Sequence, residues 1–307
     1  MKRKTKKKSG LLQMRKCWQL YVLLLPTVVY LLIFNYSPMA GIQIAFKNYK
    51  FSKGIWDSAW VGLKHFKTFF HSVQFSTLMI NTVKISVYSL LFGFPFPILL
   101  ALLLNECKSV KLKKVVQTLT YAPYFISTVV LVSMLSMFLS PSTGIINKII
   151  EFFGGTAFDF MGSAQAFRSV YVISGIWQGM GWSSIIFIAA LAGIDPQLHE
   201  AAEIDGANRL QRIWHINLPG ILPTAVIVFI MSCGSVMSVG FEKVYLMQNS
   251  LNQTTSEIIS TYVYKMGIQN AQYSYTTAIG LFNSLINLVL LLIVNRISKK
   301  AADISLF

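Results

Sequence analysis

The chain has 307 residues, of which 54% are hydrophobic and 12% are charged. Soluble domains carry about 25% charged residues, so the charge is too sparse for a globular surface and a polytopic membrane protein is predicted. The net charge of +16 is compatible with a nucleic-acid-binding protein, but the positions of the basic residues argue against that class.

The basic residues are concentrated at the N-terminus. Eight of the 27 Lys and Arg residues lie within MKRKTKKKSGLLQMRK, directly before an apolar stretch. This arrangement is typical of a cytoplasmic anchor beside anionic lipid. No small-x-small cleavage site follows, so we expect a retained first helix rather than a signal peptide. Residues 1–17 are therefore predicted to be a basic cytoplasmic N-terminus.

Six segments are long and apolar enough to be predicted as membrane spans. A bilayer core about 30 Å thick requires roughly 20 helical residues. Pro95 and Pro97 predict a kink in the second span. The fold class is therefore an all-α polytopic membrane protein with six transmembrane helices, at residues 18–37, 78–104, 115–139, 169–194, 218–241 and 275–295.

An even number of spans places both termini on one side. With the N-terminus inside, most Lys and Arg residues fall in the inner segments, although the outer loops are longer. This asymmetry predicts an N-in, C-in topology. Residues 38–77 are then an extracytoplasmic loop, residues 78–296 a five-helix core and residues 297–307 a cytoplasmic tail.

The segment between the fourth and fifth spans is too charged to lie in the membrane. Residues 200–223, EAAEIDGANRLQRIWHINLPGILP, include three acidic residues and two arginines. Each would cost about 2.5–3.5 kcal/mol at the bilayer centre. We therefore predict a cytoplasmic loop at residues 195–218.

This loop has the pattern of two short helices. Asp195 followed by Pro196 predicts a helix start. The first helix would cover residues 197–205 and end or bend at Gly206, and the second would cover residues 207–217 and stop before the proline that follows.

The same loop reverses the charge of the inner surface. Four of the chain's eleven acidic residues lie between Asp195 and Asp205, and the small side chains of Ala201 and Ala202 allow close approach beside the Glu200 carboxylate. The pattern favours a docking element for a cytoplasmic partner. The alternative is an acidic amphipathic helix that lies in solvent or on the membrane, although an anionic leaflet disfavours the latter.

The segment GIDPQLHEAAEIDGANRLQRIWHINLPGILPT resembles the EAA loop of permease subunits in binding-protein-dependent ABC importers. "DGA" and Trp214 resemble the carbohydrate-uptake branch. FNYSPMAGIQIAFKNYKFSKGIWDSAWVGLKHF and ISKKAADISLF resemble its oligosaccharide permeases of the LplB type, so the resemblance covers nearly the whole chain. The family pattern, Glu-Ala-Ala, a Gly and Ile-x-Leu-Pro, falls here on Glu200, Ala201, Ala202, Gly206, Ile216, Leu218 and Pro219.

This resemblance implies that the loop is a coupling helix held in a cleft of a separate ATPase, which would grip Glu200 while Gly206 provides the turn. The chain has no G-x-x-x-x-G-K-[ST] phosphate loop, so we expect a transport subunit that is not an enzyme and holds no cofactor, with ATP and Mg used by the partner. The expected ATPase-coupling residues are Glu200, Ala201, Ala202, Asp205, Gly206 and Pro219.

The resemblance also implies partners and a location. We expect a second permease, related but different, together with an ATPase dimer and an extracytoplasmic solute-binding protein. The assembly would lie in a bacterial cell membrane as a multi-pass complex, without nucleic acid. The loop at residues 38–77 is either a docking surface for the binding protein or a folded cap over the helices.

Sugar sites combine aromatic rings, which stack on C–H faces, with amide and hydroxyl groups. YAPYFIST, GIWQGMGWSS and SVMSVGFEKVY offer these groups, and in similar permeases the substrate lies between these spans. Alternatives remain: Gly179 can belong to a packing ridge, and Asn283 and Asn287 are expected to join helices. The predicted substrate path is Tyr124, Thr128, Gly179, Trp182, Ser238 and Phe241.

Other functions remain as alternatives. An ABC permease for a non-sugar solute, such as an amino acid, phosphate or a metal ion, would need charged residues deep in the spans, and spans 3 to 5 lack them. A polytopic membrane transferase would need acidic or His clusters on one face, and the EAA segment is the one such cluster. No catalytic or metal site is predicted.

Overall fold

The computed structural model describes residues 18–306, so the basic segment predicted at residues 1–17 and the last residue of the predicted tail lie outside it. Within residues 18–306 five helices are long and apolar enough to cross a membrane: Trp18–Phe46, Gln74–Glu106, Phe167–Ala192, Arg209–Cys233 and Tyr273–Ala301. A sixth span is obtained when Val110–Phe125 and Thr128–Phe138 are counted together, with a bend of 102° between them.

The α-helices are α1 Trp18–Leu31, α2 Lys64–Phe70, α3 Gln74–Gly93, α4 Pro95–Glu106, α5 Val110–Tyr121, α6 Thr128–Phe138, α7 Ile145–Phe152, α8 Phe167–Ala192, α9 Pro196–Ile204, α10 Arg209–Arg212, α11 Leu218–Cys233, α12 Phe241–Met247, α13 Gln253–Ser256, α14 Ile259–Tyr264 and α15 Tyr273–Ala302. Turns of π-helix occupy Leu32–Tyr36, Ile213–Asn217 and Lys265–Gln269, and 3-10 helix occupies Ser37–Phe46, Phe51–Lys53 and Ala122–Phe125.

The third predicted span is broken rather than straight. α5 passes into the 3-10 turn that contains Pro123, and α6 begins after Ser127, whose hydroxyl accepts a hydrogen bond from the Val130 N–H at 3.4 Å. Proline lacks the N–H that an α-helix needs, and a serine cap starts a new helix. The two halves therefore meet at 102°, where the sequence predicted one continuous helix over residues 115–139.

Residues 38–77 contain two strands, so the prediction of a purely helical fold is wrong at this point. β1 (Lys47–Lys50) pairs antiparallel with β2 (Gly54–Trp60). Tyrosine, isoleucine and tryptophan favour strands, and Gly54, with φ +66°, closes the turn.

The hairpin is fastened to the helices. The Tyr49 N–H donates to Ser274 Oγ on α15 at 2.9 Å. Phe46 stacks on Trp60 with ring centroids 5.8 Å apart. The face of residues 38–77 that packs against the helices, which we call the inner face, is therefore a folded cap on the end of α15.

α8 is the central helix of the core. It packs against α3, α4, α5 and α11, and its Phe187 is buried together with Ala101 and Ile221. A Cβ at Gly181 would overlap the backbone carbonyl of Thr120 on α5, so α8 and α5 approach each other as closely as glycine permits.

The first helix has the opposite environment. α1 has no buried residue, whereas the 3-10 segment that follows it packs against α15 and buries Ala45. The apolar side chains of α1 therefore face the surroundings of the chain rather than its core.

Candidate functional site

The acidic loop forms the helix and turn expected of it. Asp195 Oδ1 accepts a hydrogen bond from the Gln197 N–H at 3.0 Å, which caps α9. Beyond its last residue, the Gly206 N–H donates to the Glu203 carbonyl at 3.1 Å and the Ala207 N–H donates to the Ala202 carbonyl at 2.8 Å. Gly206 has φ +75°, so the paired bonds form a glycine-terminated helix end.

The second half of the loop differs from the prediction. Asn208 and Gln211 cap α10 reciprocally, with bonds of 2.9 and 2.7 Å. The helix then continues through the π-turn Ile213–Asn217 into α11, where the sequence predicted an end before Pro219. Pro219 lies in the first turn of α11, and the wider π-turn that precedes it accommodates its missing N–H. The second loop helix is therefore the first part of the helix Arg209–Cys233, which corresponds to the predicted fifth span.

The surface of this loop is acidic and apolar. Among the predicted coupling residues, Glu200, Ala201, Asp205, Gly206 and Pro219 are exposed and Ala202 is half-buried. The Glu200 carboxylate has no ion-pair partner within residues 18–306. Exposed apolar clusters mark interaction sites, and four such side chains surround this helix pair: Leu198, Ile204, Leu210 and Trp214.

One buried contact ties the loop to the core. Asn217 is completely buried, and its Nδ2 donates to Glu106 Oε1, at the end of α4, at 3.3 Å. Sequence reasoning missed this contact because the two residues are far apart in the chain.

Two adjoining cavities, of about 840 and 510 Å³, lie among α3, α4, α8 and α11. Of the predicted path, Ser238 lines the larger cavity, and Thr128, Gly179 and Phe241 line the smaller. The two cavities share six lining residues: Ser89, Gly93, Pro97, Tyr171, Ser183 and Gly240. The structure thus brings four of the six predicted path residues to one continuous space.

The remaining two path residues lie together outside this lining. Tyr124 and Trp182 stack with ring centroids 4.7 Å apart and planes 5° from parallel. Both residues are about half exposed, at 45% and 44%. They form an aromatic platform where α8 meets the bend between α5 and α6.

The glycines of α8 have different roles. A Cβ at Gly179 would meet no atom within 4 Å, so the packing-ridge alternative is not needed there. The close helix contact lies at Gly181, which the sequence analysis did not single out.

The turn that follows α11 is held by asparagines. The predicted span 218–241 ends as helix at Cys233. Asn287 Oδ1 accepts from the Met237 N–H at 2.9 Å, its Nδ2 donates to Ser238 Oγ at 2.9 Å, and Asn283 Nδ2 donates to the Met237 carbonyl at 3.2 Å. The two asparagines join helix α15 to this turn and position Ser238 at the cavity.

Sequence reasoning also missed Lys243. It is only 9% exposed and lines the smaller cavity. Its partner, Tyr171, lies on another helix, so no local motif marks it.

The chain is similar to known transport proteins over nearly its full length. The family described as "Binding-protein-dependent transport system inner membrane component" matches residues 93–303. Protein LplB of Bacillus subtilis is 46% identical over 288 residues, which cover 94% of this chain and 91% of that protein. The polygalacturonan/rhamnogalacturonan transport system permease protein YteP of the same organism is 44% identical over 301 residues, which cover 98% of this chain and 94% of that protein.

Solved structures are similar as well. A chain of a bacterial ABC transporter involved in the import of the acidic polysaccharide alginate superposes with a TM-score of 0.89 at 41% identity, covering 96% of this chain and 100% of that chain. A second structure, of a bacterial alginate ABC transporter in complex with alginate pentasaccharide-bound periplasmic protein, has a TM-score of 0.88 at 41% identity and covers 96% and 98%.

Proposed function

The chain belongs to the binding-protein-dependent transport system inner membrane component family and is the permease subunit of a sugar or oligosaccharide ABC importer in the cell membrane. On that basis we propose the following arrangement and mechanism. The chain crosses the membrane six times with both termini inside. α9 and α10 lie in the cytoplasm, and the two cavities are part of the sugar path. The chain is a transport component, and ATP and Mg act in a separate ATPase.

The exposed coupling surface carries this proposal. An unpaired carboxylate at Glu200 and four exposed apolar side chains require a partner that is both complementary and apolar. A docked ATPase supplies one, and closure of the ATPase moves α9. Glu203 on α9 forms an ion pair with Arg212 on α10. Because α10 is in turn continuous with α11, the movement of α9 reaches the walls of the cavities.

The cavity lining suits a sugar. Hydroxyl groups of Ser89, Ser183 and Ser238 line it together with the aromatic rings of Tyr171 and Phe241, which is the combination that sugars require. The stacked pair Tyr124 and Trp182 adds a second aromatic surface beside the path.

We assign each expected partner to one surface of the chain. A second permease completes the membrane part, and two ATPase subunits bind from the cytoplasm. On the outer side the hairpin exposes Phe51, at 88%, and Trp56, at 71%. This outer face meets the solute-binding protein, while the inner face is the cap described above.

Charge reversal at Glu200 tests the coupling assignment. The complete importer is reconstituted in nanodiscs with its binding protein, and ATP hydrolysis is measured with a panel of oligosaccharides. We expect Glu200→Lys to abolish sugar-stimulated hydrolysis and to lose the ATPase in a pull-down, while the second permease is retained. Glu151→Lys is the matched control, because this exposed acid lies on α7, away from the loop.

Two results would contradict the proposal. Normal coupling in Glu200→Lys would remove the docking role of α9. A wild-type chain that purifies without an ATPase in several mild detergents would reopen the transferase alternative.

A further inference from the structure

Lys243 places a cation in the cavity wall. Its Nζ donates to the Tyr171 carbonyl at 2.9 Å and lies 4.8 Å from the centroid of the Tyr171 ring. On the neighbouring turn of α8, a Cβ added to Gly175 would lie 3.4 Å from the same Nζ. The ammonium therefore rests on a part of α8 that has no side chain, between a ring face and the open cavity.

This cation has no counter-ion among the residues that the structure describes. Within residues 18–306 no carboxylate lies within 4.0 Å of its Nζ, although Glu242 lines the same cavity. An ammonium has three donors, and the Tyr171 carbonyl takes one. Burial lowers the pKa of Lys243 to about 8, so the side chain stays mostly protonated at neutral pH.

The chain treats another partly buried lysine differently. Lys265 Nζ lies 3.1 Å from Glu257 Oε1 and also donates to Gln248 Oε1 at 2.6 Å. A buried charge without a partner is costly, and at Lys265 that cost is offset inside the protein. At Lys243 no carboxylate within residues 18–306 offsets that cost, and the side chain lines the smaller cavity.

We propose that Lys243 binds the carboxylate of an acidic sugar unit as the sugar passes through the cavity, and that it makes the permease selective for uronate-containing oligosaccharides. The inference rests on the proposed sugar path and narrows its substrate class. One positive charge matches one carboxylate, whereas a phosphate dianion would leave a negative charge unpaired in the same space. Tyr171 and Phe241 offer rings for the sugar face, and Ser183 offers a hydroxyl.

The lack of charged residues within spans 3 to 5 disfavours a charged cargo in the sequence, but the fold adds a charge from outside these spans. Lys243 lies on α12, beyond the helical end of the fifth span at Cys233. In the folded chain its side chain nevertheless lines the smaller cavity and contacts Tyr171 on α8.

The test compares matched acidic and neutral sugars in the complete importer. Transport into proteoliposomes is measured for trigalacturonate, trimannuronate and triglucuronate, each beside its carboxyl-reduced neutral trisaccharide, and for glycerol 3-phosphate. For each variant, the transport rate of the acidic sugar is divided by that of its neutral counterpart, and this ratio is compared with the wild-type ratio. Because every measurement uses the same binding protein, the sugar preference of that protein affects all ratios equally and cancels in the comparison. The variants are Lys243→Met and Lys243→Arg, and the control is Lys265→Met.

Lys243→Met should lower the ratio about tenfold or more, as expected for the loss of a hydrogen bond to a charged group, with transport of the neutral sugar retained. Lys243→Arg, which keeps the charge, should retain most of the ratio and also shows that the position tolerates substitution. Lys265→Met should leave the ratio unchanged.

The inference is overturned if wild type transports only the neutral sugars, if Lys243→Met lowers acidic and neutral transport equally or not at all, or if Lys243→Arg behaves as Lys243→Met. Lysine-dependent transport of glycerol 3-phosphate in place of the uronates would also overturn it. If no sugar of the panel is transported, the proposed sugar path fails rather than the role of Lys243 alone.

Discussion

Replacing Gly206 isolates the turn between the two loop helices. At φ +75° a Cβ is strained, but it would meet no atom within 4 Å, so Gly206→Ala acts through the backbone alone. The left-handed conformation costs an L-residue about 1–2 kcal/mol. The population of the turn relative to competing conformations therefore falls by about 5- to 30-fold, and the affinity for the ATPase falls by at most the same factor.

The assay is a titration of the purified ATPase subunit against the permease in nanodiscs. Gly206→Asn should bind almost as wild type, because asparagine tolerates this backbone region. Gly41→Ala, at a glycine that also has open space around it but lies outside the left-handed region, should have no effect. Equal affinities for Gly206→Ala and Gly206→Asn would refute the argument that docking requires the left-handed turn.

Three further outcomes are expected. Gly181→Val forces the close helix contact apart at a cost of about 1–3 kcal/mol or more, and should lower the unfolding temperature in detergent, whereas Gly179→Val should not. Asn287→Ala removes two hydrogen bonds, each worth about 0.5–1.5 kcal/mol, and should accelerate hydrogen exchange at the Met237 amide. His65 on α2 contacts the hairpin, because its Nε2 lies 3.2 Å from the Lys47 carbonyl of β1. Burial lowers the pKa of His65, so the state in which this contact is broken binds more protons, and the docking of the hairpin on α2 should weaken as the pH drops below about 6.5. Hydrogen exchange of the hairpin amides at pH 7.5 and 5.5 should show this, and His65→Gln should abolish the pH dependence.

The bounds of a span were predictable from the sequence where the length of the apolar run alone determines the helix. The fourth span, predicted at residues 169–194, corresponds to Phe167–Ala192, because a long apolar run that contains small residues has few other stable states in a membrane. The predicted membership in the sugar permeases is confirmed by the curated relatives. The break at Ser127 was not predicted, because a proline and a serine are tolerated in many straight spans and the competing contacts of α8 cannot be read from the local sequence.

In the candidate site, too, residues with a local structural role were predictable from the sequence, and residues that depend on distant contacts were not. The role of Gly206 in the turn followed from the sequence, because a glycine after a short helix acts locally. Lys243, Gly181 and Asn217 were missed, since each depends on one partner in a distant part of the chain. Such pairings arise only from the packed fold, and they concern the residues that give the site its shape and charge.

The unbroken helix from Arg209 to Cys233, 25 residues long, has a mechanical consequence. Asn217, whose side-chain amide donates to Glu106, divides it into an arm of about 12 Å that ends at Arg209 and an arm of about 24 Å that ends at Cys233. If the helix tilts about that point, a displacement of about 1 Å at Arg209 becomes about 2 Å at Cys233, next to Ser232 in the wall of the larger cavity. In the proposed importer, the stiffness of this helix therefore sets how much of a movement at the loop reaches the sugar path.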